Sequence, residues 1–75
     1  MNISDLGDRV RARRQMLGFT QRALAEVAGI SVHALSDLES GKGNPTLAML
    51  NRVAEALGQE LRLEVRRTGG NGGEP

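Results

Sequence analysis

The sequence predicts a mainly α fold, four short helices followed by one strand, in a chain of 75 residues. Three observations predict it. Apolar residues recur at helical spacing in four successive segments, each opened by a polar cap residue and closed by a glycine. From Glu60 the period changes from helical to two. Between the second and third segments only Ile30 separates the closing Gly29 from the next cap, Ser31, so the chain must turn sharply there.

The first helix is expected from about Asp5 to Leu17. Ser4 or Asp5 can cap it, Asp5 and Asp8 sit near the positive end of the helix dipole, and the arginines lie toward the negative end. Leu6, Val10 and Leu17 form its apolar stripe, and Gly18 ends it. Thr20 can cap a second helix of about eight residues, with Leu24, Val27 and Ala28 facing inward. After Gly29, Ser31 opens a third helix that runs to about Glu39, with Leu35 and Leu38 inward and Gly41 closing it. Two short helices joined by a glycine-containing turn of about three or four residues cannot lie antiparallel. They cross steeply, in helix-turn-helix geometry. Ser40 to Pro45 is a loop, and Thr46 caps a fourth helix whose Leu47, Leu50, Ala54 and Leu57 face inward before Gly58 stops it.

Beyond it, Leu61, Leu63 and Val65 alternate with Glu60, Arg62, Glu64 and Arg66, the pattern of a half-buried strand. A lone strand leaves its backbone groups without a ladder partner, and the simplest partner is the same strand of a second copy across a two-fold axis. An axis centred on Leu63 opposes Glu60 to Arg66 and Arg62 to Glu64, with Leu61 against Val65. Moving the axis by one residue sets like charges against each other. The expectation is a homodimer with a two-stranded intermolecular sheet built from Leu61, Arg62, Leu63, Glu64 and Val65. The rival is a strand folding back on Asn2 and Ile3. The organisation expected is one domain, residues 1–67, with the dimerising strand at 60–66. Residues 68–75 form a glycine-rich tail with nothing to bury, expected to be disordered.

Composition narrows the function. The chain has no cysteine and one histidine, which rules out disulfides and thiolate metal sites and leaves no plausible zinc cluster, so no metal or cofactor is expected. It has no apolar run near the ~18 residues of a membrane span and no signal-peptide layout, so a cytoplasmic location is expected and no membrane. A single Phe and no Trp or Tyr disfavour modules that stack single-stranded bases on aromatic rings. The net charge is only +1, but Arg9, Arg11, Arg13, Arg14 and Arg22 fall in a stretch without an acid. Such a cluster attracts phosphate, or is simply a solvated face.

Gly18-Phe19-Thr20-Gln21, then Leu24-Ala25, Gly29, Ser31, Leu35, Ser36, Glu39, Gly41 and Pro45 resemble the Cro/CI-type (XRE-like) helix-turn-helix domains. The resemblance covers roughly residues 5–58 and implies a lambda-repressor-like four-helix domain. The run Asn44-Pro45-Thr46-Leu47 into Val53-Ala54-Glu55-Ala56-Leu57-Gly58, followed by a strand, is similar more narrowly to HipB-like antitoxins. Two positions carry their own physics: Ala25 must be small where the two helices approach, and Gly29 sits where positive φ is cheap only for glycine.

By resemblance, Gln21 hydrogen-bonds a phosphate at the start of the second helix, and the third helix reads base edges in the major groove. Its outward residues are Ser31, Val32, His33, Ser36 and Asp37. Ser31 caps and can touch a phosphate, Val32 can pack on a thymine methyl, His33 can donate to guanine, and Asp37 can accept from cytosine N4. Alternatively His33 and Asp37 simply pair on the surface. Lys42 and Asn44 match positions that reach the sugar-phosphate backbone. Arg14 and Glu39 match a pair that ties the first helix to the third, which leaves Arg11 and Arg22 as the more available of the basic cluster. Ser36, His33 and Asp37 carry the letters of a hydrolase triad, but on one exposed helix they lack a pocket and an oxyanion loop, so no enzyme is expected.

The expected function is a sequence-specific, double-stranded-DNA-binding transcriptional regulator, a repressor, reading a palindromic operator as a homodimer. Its two recognition helices would lie ~34 Å apart, about one DNA turn. The HipB-like resemblance adds an antitoxin role with a toxin protein as partner. The alternative is a protein-protein interaction module of the same fold that binds no operator.

Overall fold

The computed structural model describes residues 1–62 and 65. Four helices follow one another: α1 (Ile3–Met16), α2 (Gln21–Ala28), α3 (Val32–Glu39) and α4 (Leu47–Ala56). Three of the four caps are those read from sequence. The hydroxyls of Thr20, Ser31 and Thr46 each accept the backbone N–H three residues on, at 3.0 Å, satisfying a donor the helix leaves unpaired. The first helix starts earlier than expected. Asn2 caps it, accepting from the Asp5 N–H at 2.8 Å, while the Asp5 carboxylate accepts from the Asn2 N–H at 3.1 Å. This reciprocal box pairs two donors, whereas a cap at Ser4 or Asp5 would pair one.

All four helices end in the same way. The residue after each closing glycine bonds back across the last turn, as in Phe19 N–H to Arg14 O, Ile30 to Ala25, Lys42 to Asp37 and Gln59 to Ala54, a Schellman closure. In the α2–α3 turn this places Gly29 at φ +74°, a conformation that a side chain would strain.

The core is Val10 of α1, Leu24, Ala25 and Ala28 of α2, Leu35 and Leu38 of α3, and Val53 and Leu57 around α4. Helix α1 packs on α3, and α2 packs on both α3 and α4. Leu24, Leu35, Leu38 and Leu57 are fully buried, each contributing about 1.5–3 kcal/mol of apolar burial.

Three residues expected inside lie outside: Val27, Leu17 and Leu47, at 62%, 45% and 67% exposure. On α2 the buried arc runs through Leu24, Ala28 and Ala25, and Val27 sits about 100° away from its centre at 100° per residue. Leu47 occupies the first position of α4, where the helix overhangs the core, and Leu17 is the cap beyond α1. Val53, not singled out from sequence, takes the central place on α4.

No strand forms among the described residues. Glu60, Leu61, Arg62 and Val65 lie in exposed irregular backbone, because a ladder needs a second strand and four helices offer none. The rest of the expected strand, Leu63, Glu64 and Arg66, and the tail from Thr68 to Pro75 lie outside the described residues.

Candidate nucleic-acid interface

The helix read as a recognition element presents its polar side to solvent. Ser31, Val32 and His33 in its first turn are exposed, and Ser36 and Asp37 are half-exposed one turn further on. Ser31 is engaged as the cap. His33 and Asp37 lie one turn apart with Nε2 and Oδ2 at 3.4 Å, so the surface pairing weighed as an alternative is present in the free protein. His33 stays 86% exposed at its side chain and Asp37 40%. The loop after α3 carries Lys42 and Asn44, both exposed.

The opposite side of α3 is fixed by one carboxylate. Glu39, at the last turn, has a side chain 1% exposed. Its Oε2 accepts from Arg14 Nε at 2.6 Å and its Oε1 from Arg14 Nη2 at 3.0 Å, a two-pronged guanidinium–carboxylate fork. Arg14 also donates to the carbonyl of Phe19 at 2.9 Å, tying down the link into α2. Burial pushes the Glu39 carboxyl up, but the bonds from Arg14 and Gln21 and the nearby Arg11 charge outweigh it and hold the group below the ordinary glutamate range. The bond to Glu39 pushes Arg14 up, against the opposing effect of burial. The fork expected from the resemblance is therefore present.

Two partners of Glu39 were not read from sequence. Gln21 Nε2 donates to Oε1 at 3.0 Å, and Arg11 Nη2 donates to the Glu39 backbone carbonyl at 3.1 Å. Arg11 was expected to be among the more available of the arginines. Instead it closes the end of α3, with its side chain 45% exposed. Arg13 likewise donates to the Leu57 carbonyl at 3.1 Å, past the end of α4. Three of the five arginines are thus committed within the fold: Arg11, Arg13 and Arg14 are fastened to the C-terminal ends of two helices, where cations complement the dipole. Arg22, on the first turn of α2, is exposed and makes no ion pair among the described residues.

Among the described residues no group of acidic or histidine side chains is arranged to hold a metal ion, and no helix is long and apolar enough to cross a membrane. A shallow groove of about 160 Å³ lies between α3 and the following loop, lined by Asp37, Lys42, Asn44 and Pro45 among others.

Residues 10–63 match the sequence profile of a family described as helix-turn-helix (HTH_3). An uncharacterised HTH-type transcriptional regulator of Methanothermobacter thermautotrophicus is 41% identical over 51 residues, which span 68% of this chain and 74% of that protein. The immunity repressor protein of Bacillus phage phi105 is 43% identical over 56 residues, 75% of this chain and 39% of that protein. In solved structures, a chain of the HipA-HipB-O2-O3 complex superposes with a TM-score of 0.79 at 25% identity, covering 89% of this chain and 94% of that one.

Proposed function

This chain belongs to the helix-turn-helix (HTH_3) family of transcriptional regulators, and we propose that it is a dimeric repressor that reads double-stranded DNA with α3. The family membership bears out the resemblance read from Gly18 to Pro45. The curated relatives are transcriptional regulators, and Ser36, His33 and Asp37 are read as outward residues of α3 and not as a catalytic triad.

One observation supports the reading most: α3 has one side locked to α1 and α2 through Glu39 and the other, polar side exposed. A helix held rigidly on one face and uncovered on the other suits insertion into a major groove. Gln21, Arg22, Lys42 and Asn44 then serve as backbone contacts, with Arg11 a weaker contributor because its guanidinium is shared with Glu39. Ser31, Val32, His33, Ser36 and Asp37 meet phosphates or base edges. A palindromic operator requires two copies, for which residues 60–66 are the proposed interface. The HipA-HipB neighbour favours a finer reading, in which the protein is also the antitoxin of a toxin partner.

The test is a titration with operator-sized duplex at two salt concentrations. Binding that tightens as salt is lowered is expected, with a shallow slope, because Arg22 and Lys42 are the uncommitted cations among the proposed contacts. No binding at ~50 mM salt refutes the DNA reading in favour of an interaction module of the same fold. Gln21→Ala should weaken every sequence alike, whereas His33→Ala should change the preference at one base position.

A further inference from the structure

A single buried carboxylate joins the fold to the group that faces phosphate. Glu39 Oε1 is shared between Arg14 on α1 and Gln21 at the first position of α2, each at 3.0 Å, while Oε2 is held by Arg14 at 2.6 Å. We propose that Glu39 is a positioning residue for DNA binding, fixing the Gln21 amide so that one of its hydrogens is held by the carboxylate and the other is left for a phosphate oxygen. The proposal rests on the reading of Gln21 as a phosphate anchor.

The chemistry requires a glutamate at this point. Two acceptor oxygens satisfy the Arg14 fork and still leave lone pairs for Gln21. A glutamine in its place has one acceptor oxygen, and its NH2 meets either the Arg14 guanidinium or the Gln21 amide, donor against donor. The Arg14 charge balances that of Glu39, and Arg11 lies 3.8 Å from Oε1, so the hub offers phosphate no net negative charge. What is gained is entropy. A glutamine side chain frozen only on binding would lose roughly tenfold in affinity, and here the freezing occurs on folding.

The full chain without DNA tests the positioning directly, by 15N relaxation of the side-chain NH2 groups. Gln15 and Gln59 are exposed and serve as internal controls. The Gln21 amide should approach the order of rigid backbone, ~0.85, with the controls below ~0.6. A Gln21 amide as mobile as the controls overturns the proposal, whether or not any variant folds. The second arm is a cycle of Gln21→Ala, Glu39→Gln and the double variant against operator and unrelated duplexes at ~50 mM salt. Each single change should weaken both duplexes about tenfold, and the double variant should be no more than about twofold worse than the weaker single. Losses that multiply to about a hundredfold mean that Glu39 acts independently of Gln21, and overturn it. If the unaltered protein binds neither duplex, the DNA reading falls and takes the proposal with it. An ordered Gln21 amide in that case marks the failure as one of function and not of geometry.

Discussion

Replacing Gly7 by alanine sets two effects of opposite sign against each other. Gly7 lies inside α1, and alanine there would favour the helix by about 1 kcal/mol. A Cβ at that position would, however, overlap the carbonyl oxygen of Leu38 and lie 3.0 Å from the carbonyl carbon and oxygen of Glu39. The obstruction is backbone at the last turn of α3, which cannot swing aside as a side chain can. Helix α1 must therefore back away from α3. Overpacking of this kind costs about 1–3 kcal/mol when neighbours can adjust, and the displacement also stretches the Arg14–Glu39 fork. Set against the propensity gain, and with the weakened fork added, the expected net loss is about 1–2 kcal/mol, or a fall in Tm of roughly 4–16 °C for a domain of this size. Thermal and urea unfolding followed by circular dichroism measure it, with Gln15→Ala on the exposed side of α1 as the control expected to change little. A Gly7→Ala protein as stable as the parent, or more so, would mean that propensity wins and that α1 does not rest on the end of α3.

Acid should weaken the fold through Glu39. Its folded pKa is depressed, so its contribution is full above the ordinary glutamate value near 4.5 and fades as pH falls below that value through the folded one. In urea melts at descending pH, the stability advantage of the parent over Glu39→Gln should shrink below about pH 4.5; an advantage that grows would reverse the assigned direction. Removing the α4 cap by Thr46→Ala should cost about 1 kcal/mol, seen as a lower urea midpoint with the slope unchanged.

The caps of α2, α3 and α4 were legible because each is a local pattern, a hydroxyl placed three residues before the N–H it accepts. The start of α1 was not, since Asn2, Ser4 and Asp5 all carry cap chemistry, and only the reciprocal bond decides among them. The face of α2 was misread for a different reason. Eight residues make barely two turns, and stripes through Val27 or through Ala25 fit such a segment equally well until α3 and α4 select one. Within the site, the outward residues of α3 followed from its period. The Arg14–Glu39 fork came from family resemblance alone, because a bond between residues 25 apart leaves no trace in spacing. The Gln21–Glu39, Arg11–Glu39 and Arg13–Leu57 bonds had no sequence signal, two of them ending on backbone carbonyls that any residue could supply.

Those last bonds change what the charge pattern means. Five arginines without an intervening acid look like a phosphate-binding stripe, yet three of them close helix ends or pair with a buried carboxylate. A guanidinium committed to a carbonyl or carboxylate releases few counterions when DNA arrives, so it adds little to the sequence-independent part of affinity. With a net charge of only +1, a module of this kind has little general attraction for duplex. If α3 reads DNA as proposed, discrimination would depend on how rigidly it is presented, and the α1 arginines would serve that end. They strap the ends of α3 and α4 to one helix, and through Glu39 they bring the start of α2 to the same point. On the proposed reading of α3, the basic cluster would serve recognition by holding that helix still more than by drawing DNA toward it.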